Sequence, residues 1–183
     1  MKNLIGLGIE STAHTFGIGI LDSNKNILAD VRSNYTTEKG GIIPSEAAKF
    51  HKENKDKILT KALEDSKIKM EDIDFFAVSS GPGLAPSLLV GKEFVKELAL
   101  KYSKPIIRVN HLIGHLEEGK FFTKAKDPVY VFVSGANTQI IAHEGGKFRV
   151  FGEALSVGLG NALDKLGREL GLGFPAGPKI EEL

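Results

Sequence analysis

The chain has 183 residues, with 24 Lys and Arg against 23 Asp and Glu, and it contains no cysteine. A net charge near zero gives no electrostatic reason to expect nucleic-acid affinity, so RNA binding would need a local patch or a partner subunit. Without cysteine, disulfides, thiolate metal sites and a Cys nucleophile are excluded, and any metal must be bound through nitrogen and oxygen.

The composition of the chain is typical of a folded domain, and its sequence predicts no membrane span. Hydrophobic residues make up 42% and charged residues 26%, which is typical of globular proteins. No apolar stretch approaches the ~20 residues that a transmembrane helix needs, and the amino terminus is too short and too soon acidic for a signal peptide. We therefore expect no membrane association and a cytoplasmic location.

The first half begins with strands and continues with alternating helices and strands. Three strand-like runs, joined by short polar turns, predict an antiparallel meander over 3–10, 15–22 and 26–34. Pro44 is expected to start a helix that reaches about residue 66. Its apolar stripe is predicted to comprise Ala47, Phe50, Ile58, Leu59, Ala62 and Leu63.

Two further strand and helix pairs follow. Buried strands are predicted over 73–80 and 105–109, and helices over 87–102 and 111–122. Strands that alternate with helices of this size favour parallel pairing through right-handed crossovers. The resulting order, βββαβαβα, predicts a ribonuclease H-like lobe over residues 1–125.

The pattern restarts after the segment "KAKDP". Strands predicted over 128–135, 138–146 and 147–155 form a second meander, and a helix follows over about 158–171. This predicts an incomplete second lobe over residues 126–183. Two such lobes resemble the α/β plan of the actin-like (ASKHA) ATPase superfamily.

Three turns carry small or polar residues that suit ligand contact. Glu10, Ser11 and Thr12 end the first strand and could form a phosphate-binding loop, although a plain hairpin fits equally well. The Gly81-Pro82-Gly83 loop lies where a strand runs into a helix. The turn "VSGANTQ" lets a ligand approach the backbone, or it is a hairpin chosen for its geometry.

Two residue types suggest specific contacts. His111 and His115 are four residues apart at the start of a predicted helix, so both imidazoles share one face. Such a pair suits iron or zinc, but those metals usually take three or four protein ligands. Asp164 could accept hydrogen bonds from a ribose, although its spacing fits a solvated helix surface better.

Six segments together resemble the tRNA N6-adenosine threonylcarbamoyltransferase family, in order and in spacing. They are "GIESTAHTFGIGI", "TTEKGGIIPSEAA", "GPGLAPSLLVG", "NHLIGHLE", "VSGANTQ" and "NALDKLGRELGLGFPAGP". The resemblance implies transfer of threonylcarbamoyl from threonylcarbamoyl-adenylate, made from ATP, to N6 of adenosine 37 in tRNA. It also implies an archaeal KEOPS-type complex, with a small dimerising subunit on the first-lobe helices and a kinase subunit.

The resemblance assigns roles to residues by position. It implies that His111 and His115 bind a divalent metal, iron or zinc. It implies substrate contact by one strand turn, which consists of Phe132, Val133, Ser134, Gly135 and Ala136. It implies nucleotide contact by Asp164, Gly177 and Glu181.

Departures from the family pattern limit these expectations. Phe132 replaces a metal-associated Tyr, and the third metal ligand of the family, an Asp, lies beyond the family segment that this sequence matches. We therefore expect a fragment with reduced or no activity alone. The alternatives are a non-catalytic partner-binding module and an ATP-binding phosphotransferase of the same superfamily.

Overall fold

The computed structural model of the protein describes residues 2–38 and 40–183. The chain forms two compact units, Met1–Tyr35 with Ile43–Gly114 and Thr36–Ile42 with His115–Leu183. The sequence predicted a single boundary at residue 125, whereas the structure divides the chain after Gly114 and assigns 36–42 to the second unit. The reason for the latter is an antiparallel bridge in which the backbones of Thr37 and Phe174 exchange two hydrogen bonds.

The first unit contains a five-stranded sheet. Its strands are β1 (Ile5–Glu10), β2 (Thr15–Asp22), β3 (Ile27–Asn34), β4 (Phe75–Gly81) and β5 (Ile106–Asn110). Their order in the sheet is β3-β2-β1-β4-β5. The first three strands pair antiparallel, which confirms the predicted meander, and β4 pairs parallel to β1 and to β5.

The core of this unit lies between one sheet face and two helices. Side chains alternate between faces along a strand, so Leu7 and Ile9 point to the same side and are buried. Helices α1 (Pro44–Ser66) and α2 (Ala85–Tyr102) pack on the sheet and on each other. Both have proline in the first turn, where its missing N–H costs no hydrogen bond.

Burial in two elements of this unit differs from what the sequence pattern suggests. In α1, Phe50 is only partly buried, while the neighbouring His51 is fully buried. In β5, which was predicted to be buried, Ile106 is 38% and Ile107 48% exposed. The cause is topological, because β5 lies at the edge of the sheet, next to β4.

The second unit contains a three-stranded antiparallel sheet in the order of the chain. Its strands are β6 (Tyr130–Val133), β7 (Thr138–Glu144) and β8 (Lys147–Glu153). Helix α3 (His111–Thr123) begins in the first unit and ends in the second, and α4 (Leu159–Glu169) follows the sheet. The predicted meander and both of these helices are confirmed.

A short helix was missed. α5 (Gly177–Glu181) follows α4, beyond the last helix that the sequence predicted, and Gly177 is its first residue. Five residues are too few for apolar periodicity to reveal a helix. Among the described residues, no helix combines the length and the apolar character that a membrane span requires.

Candidate metal and nucleotide site

Glu10 and His111 lie together at the carboxyl-terminal edge of the parallel strands. β1 ends at Glu10, and His111 begins α3 directly after β5. Nδ1 of His111 is 3.2 Å from Oε2 of Glu10, although 101 positions separate the two residues. The backbone N–H of Thr12 donates to Oε1 of Glu10 over 2.6 Å, so both carboxylate oxygens are bound.

The carboxylate of Glu10 is stabilised in its charged form. Burial raises its pKa, but hydrogen bonds from His111, Ser79 and Thr12 outweigh burial and lower the pKa to about 2. Glu10 is therefore ionised at neutral pH and can only accept hydrogen bonds. Ser79 was not predicted; it follows Val78, which pairs with Ile9, so only the strand register would have revealed it.

The hydroxyl groups of Ser11 and Thr12 face inward. Ser11 is 0% and Thr12 2% exposed, and the N–H of Leu84 donates to the carbonyl oxygen of Thr12 over 2.7 Å. The glycine loop 81–83 therefore packs on this turn. Among the described residues, Oγ of Ser11 has no hydrogen-bond partner. Both residues therefore take part in packing, and the phosphate contact that the sequence suggested stays a prediction.

His115 lies in the second unit, where it contacts an aromatic ring. The rings of His115 and Phe132 are 5.8 Å apart between centroids and tilted by 50°. Phe132 is 8% exposed, so it closes one side of the imidazole without offering a metal ligand. Nδ1 of His115 also lies 3.7 Å from Oε2 of Glu118, in the next turn of α3.

The turn after Phe132 packs against the first residues of α4 and accepts hydrogen bonds from them. The N–H groups of Gly160 and Asn161 donate to the carbonyl oxygens of Ser134 and Gly135, each over 3.1 Å. A Cβ at Gly158 would lie 2.6 Å from the Gly135 oxygen, so only glycine allows this approach. Within the turn, Ser134 Oγ accepts a hydrogen bond from the N–H of Asn137 over 3.0 Å.

The remaining residues of this predicted turn differ in exposure. Val133 is 45% exposed at the end of β6, and Gly135 and Ala136 are exposed at the tip of the turn. The structure therefore brings the turn against the first residues of α4. Thr138, a polar residue of the segment "VSGANTQ", directs its hydroxyl to α4, where Oγ1 accepts a hydrogen bond from the N–H of Leu159 over 2.8 Å.

A cavity of about 420 Å³ lies in the second unit between α4 and two loops. The loops are 40–42 and 172–176, and the polar side chains on its wall come from α4: Asn161, Asp164, Lys165 and Arg168. This volume falls within the roughly 300–1,000 Å³ of small-molecule sites. Neither Lys165 nor Arg168 was singled out in the sequence, although their one-turn spacing from Asn161 and Asp164 is visible there.

Asp164 is not simply solvated. Its Oδ1 accepts a hydrogen bond from the backbone N–H of Ala176 over 2.9 Å, and the side chain borders the cavity. Gly177 follows Ala176 at the start of α5, whereas Glu181 is exposed at the end of α5 and does not line the cavity. The structure thus brings Asp164 and the neighbour of Gly177 together, but not Glu181.

The described residues contain no group of three or more His, Asp or Glu side chains arranged to hold a metal ion. Two imidazoles at one-turn spacing on α3 are the nitrogen donors that the chain offers there. Imidazole nitrogen suits iron and zinc, but two ligands make up only part of the usual set.

The sequence has close relatives. The family model described as TsaD, tRNA N6-adenosine threonylcarbamoyltransferase, matches residues 26–183. The tRNA N6-adenosine threonylcarbamoyltransferase of Thermococcus kodakarensis is 56% identical over 180 residues, which is 98% of this chain and 55% of that protein. The probable bifunctional tRNA threonylcarbamoyladenosine biosynthesis protein of Thermoplasma volcanium is 49% identical over 180 residues, which is 98% of this chain and 34% of that protein.

The chain therefore spans about half the length of the Thermococcus relative, with 55% covered. Among solved structures, YeaZ from Pseudomonas aeruginosa is similar with a TM-score of 0.54 and 14% identity, over 82% of this chain and 66% of that chain. At this identity the similarity concerns the fold alone. It confirms the predicted α/β fold class.

Proposed function

The chain belongs to the tRNA N6-adenosine threonylcarbamoyltransferase family, and we propose that it provides part of the active site of such an enzyme. The reaction transfers threonylcarbamoyl from threonylcarbamoyl-adenylate to N6 of adenosine 37 of tRNA. The observation that carries the proposal is the geometry of α3, which begins at His111 and continues past His115, so that the two imidazoles follow each other by one helical turn.

The metal part of the proposal depends on these two histidines. Their nitrogen donors fit a divalent ion such as iron or zinc, and the carboxylate against Nδ1 of His111 is the usual companion of a metal-binding imidazole. A third ligand, which the family resemblance implies to be an Asp, would come from the portion of the relatives that this chain does not span. The donor set therefore fits the metal, as part of a site.

The residues around the histidines have roles that follow from their contacts. A bound divalent metal would supply a Lewis acid that polarises the carbamoyl carbonyl. Phe132 packs on the ring of His115 and limits its rotation. Glu10 lies against His111, and the network of Thr12 and Ser79 holds the carboxylate in place.

The nucleotide part of the proposal depends on α4 and the loops around it. We assign the ribose contact to Asp164, which borders a cavity large enough for a nucleoside. Lys165 and Arg168 add positive charge at the wall of the same cavity. The family resemblance adds Gly177, Glu181 and the turn of Phe132 to Ala136 to the nucleotide and substrate contacts.

Partner binding is proposed for the outer side of the first-unit helices. Leu89 is 56% and Leu100 72% exposed on α2, and eleven residues separate them, which is close to three helical turns. Glu93, Lys96 and Glu97 are exposed between the two leucines, so this surface combines apolar and charged contacts. Such a surface suits a helical partner that carries both kinds of side chain, such as the small dimerising subunit of a KEOPS-type complex. A kinase subunit, tRNA bound through the complex, and a cytoplasmic location complete the proposal.

The same exposed leucines support the second candidate function, a partner-binding module without chemistry of its own. Variants Leu89→Glu and Leu100→Glu would abolish such binding in either case. The two functions differ in metal and nucleotide binding, which a bare interaction module does not need.

Metal content provides the first test. We expect iron or zinc to remain with the purified chain, and to be lost in the double variant His111→Ala, His115→Ala, as measured by elemental analysis. The matched control is His143→Ala, because His143 lies in β7 and packs on Phe148 at 5.2 Å between centroids. Unchanged metal content in the double variant would contradict the assignment.

Activity provides the second test. With tRNA, threonine, bicarbonate, ATP and partner proteins, we expect little or no modified adenosine from the 183-residue chain alone. A chain extended by the remaining half of the Thermococcus relative should form the product, detected by nucleoside mass spectrometry. An extended chain that binds metal and tRNA but forms no product would refute the proposed transfer.

A further inference from the structure

The carboxylate of Glu10 is fixed before any ligand arrives. The backbone N–H of Thr12 donates to Oε1 over 2.6 Å, and the hydroxyl of Ser79 donates to the same carboxylate. Glu10 ends β1, whereas Ser79 belongs to the parallel neighbour β4, so the two strands hold the carboxylate from two sides. The side chain is 34% exposed, and the hydrogen bonds to Oε1 and Oε2 restrict its rotation.

The remaining oxygen of Glu10 faces one nitrogen of His111. Oε2 is 3.2 Å from Nδ1, and the imidazole is 22% exposed. A carboxylate has no proton to donate, so the shared proton must reside on Nδ1. A neutral imidazole carries a single N–H, and its lone pair is then on Nε2.

Thr12 does not select the tautomer of His111. Its Oγ1 lies 3.4 Å from Nδ1 and 3.4 Å from Nε2, so it does not distinguish the two nitrogens. Both distances are long for a hydrogen bond that involves a hydroxyl. The charged carboxylate of Glu10 makes the stronger contact with Nδ1.

We propose that Glu10 is a positioning residue for His111, which fixes the ring and its tautomer so that Nε2 presents its lone pair to a divalent metal. This inference rests on the proposed metal site and adds Glu10 to it, in place of the phosphate contact suggested by the sequence. Residues that hydrogen-bond to a metal-binding imidazole commonly contribute about 10- to 100-fold to metal affinity.

The variant Glu10→Gln inverts the hydrogen bond to His111 without changing the shape of the side chain. The N–H of Thr12 and the hydroxyl of Ser79 donate, so they should select the amide oxygen of Gln. The amide NH₂ group then faces Nδ1 of His111 and donates to it. The ring proton must move to Nε2, which removes the lone pair from the nitrogen that binds the metal.

The tautomer can be observed directly. Long-range ¹H–¹⁵N NMR correlations distinguish the two neutral tautomers of an imidazole. In the metal-free chain we expect His111 to be protonated at Nδ1, with its signals assigned by their loss in His111→Ala. In Glu10→Gln we expect protonation at Nε2. A wild-type His111 protonated at Nε2 would overturn the inference, and this measurement needs no variant of Glu10 to fold.

Zinc affinity is the second readout. Calorimetric titration with Zn²⁺ should show about 10- to 100-fold weaker binding for Glu10→Gln than for the wild type. The matched control is Glu117→Gln, because Glu117 lies on α3 and pairs with Lys120 over 3.2 Å, away from the histidine contacts described above. Thermal melting by circular dichroism should give folded chains in both cases.

The outcomes separate this inference from the proposed function. If the double variant His111→Ala, His115→Ala loses Zn²⁺ binding and Glu10→Gln does not, the metal site stands and the role of Glu10 is refuted. If the double variant binds Zn²⁺ as the wild type does, the proposed site itself is refuted. Weaker binding together with a changed tautomer in Glu10→Gln supports both.

Discussion

The Nε2–H group of His51 donates a hydrogen bond to the backbone carbonyl of Ala13 over 2.9 Å. This contact fastens α1 to the loop between β1 and β2, and the side chain of His51 is 0% exposed. Its other nitrogen, Nδ1, is buried without a hydrogen-bond partner among the described residues. The structure therefore holds His51 as a neutral imidazole inside the first unit.

The free energy of unfolding should depend on pH through His51. Burial lowers its pKa below the ordinary value of 6.5, with a smaller lowering effect from His14 and opposing effects from the Ala13 hydrogen bond and Glu10. Below about pH 6.5 the unfolded chain therefore binds more protons than the folded chain. The contribution of His51 to the free energy of unfolding is therefore complete above this pH and decreases as the pH falls below it.

The measurement is urea denaturation at several pH values between about 5 and 8, around the ordinary imidazole pKa of about 6.5. In His51→Gln the amide can still donate to Ala13 but does not titrate, so the loss of stability toward low pH should be smaller than in the wild type. His143→Gln, at an exposed position of β7, is the control and should keep the wild-type slope. Equal slopes for His51→Gln and the wild type would contradict the argument.

Local patterns in the sequence predicted the elements of the first unit but not their burial. Alternation along β1 and β2 and the proline at the start of α1 have direct physical meanings, and those elements form as expected. Burial of Ile106 and Ile107 depends on which strands flank β5, and a one-dimensional pattern contains no strand order. The burial of His51 was not predicted, because histidine is fully buried less often than the apolar residues on the same side of α1.

Gly83 should be intolerant of a side chain. A Cβ at this position would lie 2.5 Å from the carbonyl oxygen of Thr12 and 2.7 Å from its Cβ, and both belong to the turn that carries Glu10. We expect Gly83→Ala to lower the free energy of unfolding by about 1–3 kcal/mol, as overpacking usually does. It should also weaken Zn²⁺ binding, because a displaced Thr12 releases the carboxylate of Glu10.

Gly119 provides the matched control for Gly83. It lies within α3, and a Cβ there would meet no described atom within 4 Å. Gly119→Ala should therefore raise the free energy of unfolding by about 0.5–1 kcal/mol, because alanine costs less backbone entropy in a helix. Equal destabilisation of the two variants in urea would show that the close approach at Gly83 does not matter.

The first turn of α4 should depend on Thr138. Gly158 at the start of this helix has no side chain to cap it, and Oγ1 of Thr138 accepts the N–H of Leu159 instead. Thr138→Val keeps the shape but removes the acceptor, and we expect a loss of about 0.5–2 kcal/mol, as for a lost helix cap.

Thermal melting followed by circular dichroism measures the effect at Thr138. Thr138→Ser retains the hydroxyl and should restore most of the stability lost in Thr138→Val. Thr60→Val, at an exposed site on α1, should change the stability by less than about 0.5 kcal/mol. A Thr138→Ser variant as unstable as Thr138→Val would show that packing, and not the hydrogen bond, is what Thr138 contributes.

The contacts of the candidate site were harder to predict than its residues. His111 could be selected because it follows a strand and precedes His115 by one turn, and both facts are local. Its contact with Glu10 joins positions 101 residues apart, and it becomes visible only once β1, β4 and β5 are paired in register. Motifs therefore located the candidate ligand, whereas the residue that orients it required the fold.

Asp164 combines a structural contact with the proposed nucleotide contact, and two variants can separate these roles. Asp164→Asn keeps a carbonyl oxygen that can accept the N–H of Ala176, so the melting temperature should stay close to that of the wild type. The negative charge is lost, however, and a hydrogen bond from a ribose hydroxyl to a charged acceptor contributes about 1.5–3 kcal/mol. We therefore expect at least about tenfold weaker ATP binding.

Isothermal titration with ATP, alongside thermal melting, tests Asp164. Asp164→Ala should lose both ATP affinity and stability, because it also leaves the N–H of Ala176 unpaired. Glu169→Gln is the control, since Glu169 is exposed at the end of α4, away from the cavity, and should bind ATP as the wild type does. If Asp164→Asn binds ATP with wild-type affinity, Asp164 only anchors the loop before α5 and the ribose contact must be assigned to another residue.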